Sequence, residues 1–175
     1  MTIAEQLKGL KETLEGWATS NNAFVMVAGD AVELVGILAT KPGDVRAVLY
    51  FVQEVPRGSY DELGKVERTF HLVLSRGRSF TLQRDGNLTG DASASRPLFD
   101  IVEEAREVVR HYTTEATTED RLVQYLGTRP FNAGGELILD AYQVEFLIVA
   151  QIPDSYTVET GSVFPEVAVE EPSES

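Results

Sequence analysis

Residues Leu137–Ile152, LILDAYQVEFLIVAQI, decide the reading of the fold. Tyr142, Val144, Phe146, Ile148 and Ala150 alternate with Gln143, Glu145, Leu147 and Val149, which is the two-residue period of a β-strand. The first half of the run has one polar face, whereas the second half is apolar on both. Burial of both faces requires cover by a helix, a second sheet or another subunit. Working back along the chain, Arg46–Val55 (RAVLYFVQEV) and Lys65–Ser75 (KVERTFHLVLS) read as strands, with Phe70, Leu72 and Leu74 on one face of the latter. Residues 56–64 between them exceed the usual hairpin loop of about two to five residues, and long loops in compact domains commonly make contacts. Arg76-Gly77-Arg78 turns the chain into Ser79–Arg84 as a long hairpin, and Asp85-Gly86-Asn87 is a further turn signature. Ala23–Val27 and Leu122–Thr128 supply shorter strands. Ala31–Leu38, rich in β-branched residues, also reads as a strand, with a buried helical turn as the other reading.

Two helices complete the pattern. Thr2 and Glu5 fit a capping box, and Ile3, Leu7, Leu10, Leu14 and Trp17 form one stripe that Ser20-Asn21-Asn22 ends. The second helix carries Leu98, Ile101, Val102, Ala105, Val108, Val109 and Tyr112 on a broad apolar face. Ser95 is placed as its N-cap and Pro97 in its first turn, where a missing N–H does no harm. Pairs Glu103–Arg106 and Glu107–Arg110 are spaced to support its other side. The fold class that follows is α+β: a mainly antiparallel β-sheet flanked by two helices, with a long β-hairpin.

The 175-residue length suits one domain, here residues 1–152. Residues 154–175 hold six acids, no Lys or Arg, and Pro165 and Pro172, so residues 153–175 read as an acidic, disordered tail. The whole chain has 28 Asp and Glu against 15 Lys and Arg, a net charge of −13, which disfavours gripping a phosphate backbone. Setting aside the tail's six acids leaves 22 against 15, a net −7. With no cysteine the chain has no disulfide framework, thiolate metal site or Cys nucleophile, and two histidines do not make a His-rich metal site. The most apolar window, Ala23–Thr40, is interrupted by Asp30 and Glu33, which argues against a membrane span. Phosphate-loop, dinucleotide, nucleophile-elbow and zinc-protease motifs do not occur in the sequence. His71 falls opposite Phe70 and Leu72 as a partly exposed strand residue, and His111 lies at a helix C-terminus, where a cation suits the dipole. No catalytic, cofactor or metal-binding residue is therefore assigned.

One feature departs from the acidic background. Arg68, Arg76, Arg78 and Arg84 gather around the hairpin, with Arg76 and Arg78 expected at its tip. They read either as charge guarding a sheet edge or as a patch that docks on an acidic surface of a neighbour or partner. With Arg57 and Tyr60 of the long loop, they make six candidate subunit or partner contacts.

The order helix, strands, long hairpin, helix, strand pair resembles the tail-terminator (tail-completion) proteins of long-tailed bacteriophages. The likeness covers about residues 1–152 and is clearest from Arg96 to Ile152. There RPLFDIVEEAREVVRHY leads through a polar connector into VQYLGTRPF, a short glycine loop, and a closing strand opened by Asp140-Ala141-Tyr142. The chain departs from the family in being somewhat longer than many members and in carrying the acidic tail. The resemblance implies a structural virion protein made in the host cytoplasm. It implies a homo-hexameric ring on the last ring of the tail-tube protein that stops tube growth and joins the head through a head-completion or connector protein. DNA would be only passing cargo, repelled by the acidic lumen, with no enzyme activity, cofactor or membrane involved. A tail-tube or head–tail connector (neck) subunit has the same ring logic. A monomeric α+β small-ligand module, with Tyr125, Tyr142 and Phe146 lining a pocket, is the reading from another class.

Overall fold

The structure, a computed structural model, describes residues 1–38, 45–57, 64–77, 88–90, 96–112, 123–132 and 139–151. Its first element, α1 (Ile3–Asn21), begins with the expected capping box. The Thr2 hydroxyl accepts from the Glu5 N–H at 3.2 Å, and the Glu5 carboxylate accepts from the Thr2 N–H at 2.6 Å. Asn22, in the left-handed conformation at φ 49°, ends the helix and turns the chain directly into β1 (Ala23–Ala28).

Residues Ala31–Leu38 form a helix, α2, and correct the strand reading of this stretch. Asp30 explains the outcome: its Oδ1 accepts from the N–H groups of Val32 and Glu33, each at 2.8 Å, while Glu33 reaches back to the Gly29 N–H at 2.6 Å. These reciprocal bonds satisfy orphan donors of the first turn, and they outweigh the modest helix reluctance of the β-branched residues. The chain then returns as β2 (Val45–Pro56), parallel to β1. β3 (Lys65–Gly77) runs antiparallel to β2, with one bulge at Val52 between the Phe51 and Gln53 pairings.

The third helix, α3 (Leu98–Arg110), buries Leu98, Ile101, Val102, Ala105 and Val109, as the periodicity required. Its N-cap is Pro97, with extended backbone and no side-chain cap, which corrects the expected Ser95 cap and places Pro97 two positions earlier in the helix than expected; Ser95 lies outside the described residues. β4 (Gln124–Pro130) and β5 (Leu139–Gln151) complete a five-stranded sheet ordered β1-β2-β3-β5-β4, in which only the β1–β2 pair is parallel. The α+β class with a mainly antiparallel sheet is thus correct, with three helices in place of two. The Ser79–Arg84 arm of the long hairpin and residues 152–175 lie outside the described residues.

Alternation assigns the two faces of the sheet. Ala47 and Leu49 from β2, Phe70, Leu72 and Leu74 from β3, and Val144, Phe146 and Ile148 from β5 pack beneath α1 and α3 in the main core. Phe70 stacks on Phe146, its register partner, and meets Phe51 edge-on. The second face carries a smaller core in which α2 places Leu34 and Leu38 against Ala28, Val48, Val73 and Ala141. This answers the apolar character of β5 on both faces only in part: Leu147 and Val149 on the second face stay half-buried.

Candidate functional site

The six proposed contact residues separate into three groups. Tyr60, Arg78 and Arg84 lie outside the described residues. Arg57 directly follows β2 and is partly exposed; its backbone N–H donates to Lys65 O at 3.1 Å and its Nε lies 3.3 Å from a Glu67 carboxylate oxygen. Arg68 and Arg76 are buried at 4% and 6% exposure, which corrects the expectation that they form a protruding basic patch.

Their burial follows from strand geometry. Residues 68, 70, 72, 74 and 76 share one face of β3, so both arginines flank the Phe70-Leu72-Leu74 row under the helices. Arg68 donates from Nε to Glu54 Oε2 at 2.6 Å, and from Nη1 to Gln6 Oε1 and Met1 O, each at 2.9 Å. It therefore ties the start of α1 to β2 and β3. Arg76 stands opposite Asp140 of β5 in the ladder and donates to Arg96 O at 2.7 Å, ahead of α3. Burial pushes the Arg76 pKa down from its ordinary value. Arg96 continues this framework by binding Asn21 at the end of α1 and both carboxylate oxygens of Glu104 on α3. The arginines that look like a docking patch in the sequence thus fasten the helices to the sheet.

A second polar group crosses the opposite face. Tyr50, His71 and Glu145 are consecutive register partners on β2, β3 and β5, and Arg129 reaches the row from β4. His71 Nδ1 lies 3.1 Å from the Tyr50 hydroxyl and Nε2 lies 3.8 Å from Glu145 Oε1. The same Glu145 oxygen accepts from Gln143 Nε2 at 2.7 Å and Arg129 Nη2 at 2.5 Å. Burial lowers the His71 pKa more than anything else; Glu145 raises it, and Arg129 opposes that rise. The imidazole is consequently neutral near pH 7 and links three strands. His71 is also more buried, at 8% exposure, than its place opposite Phe70 suggested.

The three residues expected to line a small-ligand pocket take the following places. Phe146 is in the main core, Tyr142 packs edge-on against Phe99, and Tyr125 sits under the Arg106 guanidinium. An open groove of about 500 Å³ lies elsewhere, between α1 and α3, lined by Trp17, Glu103, Glu104, Arg106, Glu107 and Val108. Two of its three carboxylates are engaged, Glu104 by Arg96 and Glu107 by Arg106 and Arg110, so that Arg106 pairs with Glu107 and not with Glu103 as its spacing suggested. The Arg96 hydrogen bond is the main reason the Glu104 pKa lies below its ordinary value. Among the described residues, no group of three or more His, Asp or Glu is gathered as a metal site requires. No described helix is long and apolar enough to cross a membrane.

Among the described residues, the two lateral edges of the sheet are unpaired: no strand pairs with the outer side of β1 or of β4. Phe24, Val27 and, just beyond β1, Val32 are exposed on one side of the domain, and Tyr125 and Leu126 on the other. The edges differ in character. β4 carries a bulge between Tyr125 and Gly127, then Arg129 and Pro130, whereas β1 (AFVMVA) has no bulge, charge, glycine or proline. Compared with known proteins, the chain matches no family model and no curated protein.

Proposed function

We propose that this chain is a structural subunit of a phage tail terminator: a ring that caps the tail tube, ends its polymerisation and offers the face that joins the head. The observation carrying this reading is that, among the described residues, both edges of one five-stranded sheet are unpaired and bordered by exposed apolar side chains. Two different edges on opposite sides of a subunit suit head-to-tail association, which generates a closed ring when the rotation between copies closes. The half-buried second face near Leu147 and Val149 offers further area to a neighbour. The net charge of −7 over residues 1–152 suits a lumen that lets DNA pass without holding it. The element order agrees with the resemblance drawn from residues 96–152.

The reading is tested by adding the protein to polymerising tail-tube subunits and measuring tube lengths by electron microscopy. A terminator shortens the tubes in proportion to its concentration and decorates one end. Unchanged lengths with bare ends would remove the proposal. Incorporation along the tube would favour a tube subunit.

A further inference from the structure

Two polar groups of the groove between α1 and α3 are left unanswered by the fold. Glu103 is exposed on α3 and, among the described residues, has no ion pair, whereas arginines hold Glu104 and Glu107. Trp17 is buried at 9% exposure, and among the described residues its indole Nε1 has no hydrogen-bond partner. Arg96 donates to both oxygens of Glu104 and is the main cause of its lowered pKa. Trp17 adds weakly to that effect, so Nε1 stands toward this wall of the groove without completing a hydrogen bond there. Buried donors are nearly always paired, and an orphan costs free energy.

These groups specify a guest. Nε1 needs an acceptor, Glu103 needs a cation, and the apolar surface of Trp17 and Val108 needs an aliphatic cover. A basic amino-acid residue within a peptide carries all three: a backbone carbonyl, a methylene stem and a charged end. We propose that this groove binds an arginine residue from an exposed segment of a partner protein, its carbonyl accepting from Trp17 Nε1 and its guanidinium pairing with Glu103.

Charge and size support this occupant. Three carboxylates and one arginine, Arg106, line the groove, and Arg96 reaches in to Glu104. Arg110 only adds a second partner to Glu107, so one further cation is needed to answer Glu103. A guanidinium suits it better than an ammonium, because its planar fork meets both oxygens of a carboxylate and is less strongly hydrated. The groove volume of about 500 Å³ lies within the range of about 300–1,000 Å³ typical of ligand sites and admits a residue with its flanking peptide groups. Glu104, half-exposed beside the enclosed Nε1, is the side chain that turns aside to admit the carbonyl. A net charge of −13 also draws basic segments toward the chain. The site stands on the groove alone and does not depend on the ring reading.

Trp17 is the only tryptophan of the chain, so its fluorescence reports the groove directly. The full chain is titrated with the peptide acetyl-Ala-Arg-Ala-amide and with the same peptide carrying neutral citrulline in place of arginine. The arginine peptide should shift Trp17 emission saturably, and the citrulline peptide should bind about fivefold more weakly, the size of a partly exposed ion pair. Glu103→Gln, at an exposed and unpaired position that the fold does not use, should bring the arginine peptide down to the citrulline level. Emission that does not saturate up to about 10 mM arginine peptide would overturn the proposal. So would equal affinity of the arginine peptide for the wild type and Glu103→Gln. Ethylguanidinium binding as tightly as the peptide would also overturn it, because the occupant would then be a free cation and the carbonyl contact would not exist.

Discussion

Arg68 and Glu54 form a cross-strand pair on the helix-covered face of the sheet, with Nε 2.6 Å from Oε2, and the arginine is almost completely enclosed. The bulge at Val52 makes the pairing possible. Without it, the two-residue alternation from Phe51 would put Gln53, not Glu54, on the face shared with Arg68.

Arg68→Met should therefore cost about 2–3 kcal/mol, because it leaves the buried Gln6 amide oxygen without its donor while the half-exposed Glu54 rehydrates. Urea unfolding should show a lower midpoint at unchanged slope. Adding Gln6→Leu should recover part of the loss, since replacing both polar partners removes the unsatisfied group. Strict additivity of the two substitutions would show that the pair does not couple.

Gly9 of α1 lies tightly against Tyr112, two residues past the end of α3. A Cβ placed there meets the Tyr112 hydroxyl at 2.5 Å and the ring at 3.2 Å. Gly9→Ala should thus destabilise by about 1–3 kcal/mol through overpacking, although alanine favours a helix by about 1 kcal/mol. Tyr112→Phe in the same chain should relieve part of the clash. A gain in melting temperature for Gly9→Ala alone would show that the helices separate freely.

The burial of His71 sets a pH dependence of definite sign. Its folded-state pKa lies below its unfolded value of about 6.5, so the unfolded chain takes up the proton first. This contribution is fully present above about pH 6.5 and is lost as the pH falls toward the lower, folded value. His71→Gln should flatten the stability profile between about pH 7 and pH 5. The wild type should fall faster over that window, as measured by urea midpoints. The lowered pKa of Glu104 acts at more acidic pH, below the usual carboxylate range, and leaves this window clear.

The cap of α2 gives a fourth test. Asp30→Ala removes the acceptor for two N–H groups and should cost about 1 kcal/mol, while Asp30→Ser should retain most of the stability. Equal losses in both variants would mean that tertiary packing of Leu34 and Leu38 alone holds this short helix.

Much of this was legible in the sequence where the periodicity was long. The α1 capping box, the apolar face of α3 and the alternation of β5 all correspond to elements of the structure. α2 was not, because its eight residues give little more than two turns of periodic signal and are rich in strand formers. The decisive signal was Asp30 with Glu33 three residues later, a capping pattern hidden inside an apolar stretch. The arginines were misjudged for a different reason. Clustering in sequence suggested a patch, yet the even-numbered alternation with Phe70, Leu72 and Leu74 already assigned Arg68 and Arg76 to the buried face. Their acceptors, Gln6, Met1 and Arg96, are remote in sequence and become partners only through the packing of the helices. The open edges were not legible either, since strand order depends on long-range pairing.

The central claim, a subunit that closes into a ring on a tail tube, is tested most directly by native mass spectrometry of the purified full chain, alone and mixed with preassembled phage tail tubes. The account expects a sixfold species, either free or bound at tube ends. A protein that stays strictly monomeric and leaves the tubes unoccupied would contradict it.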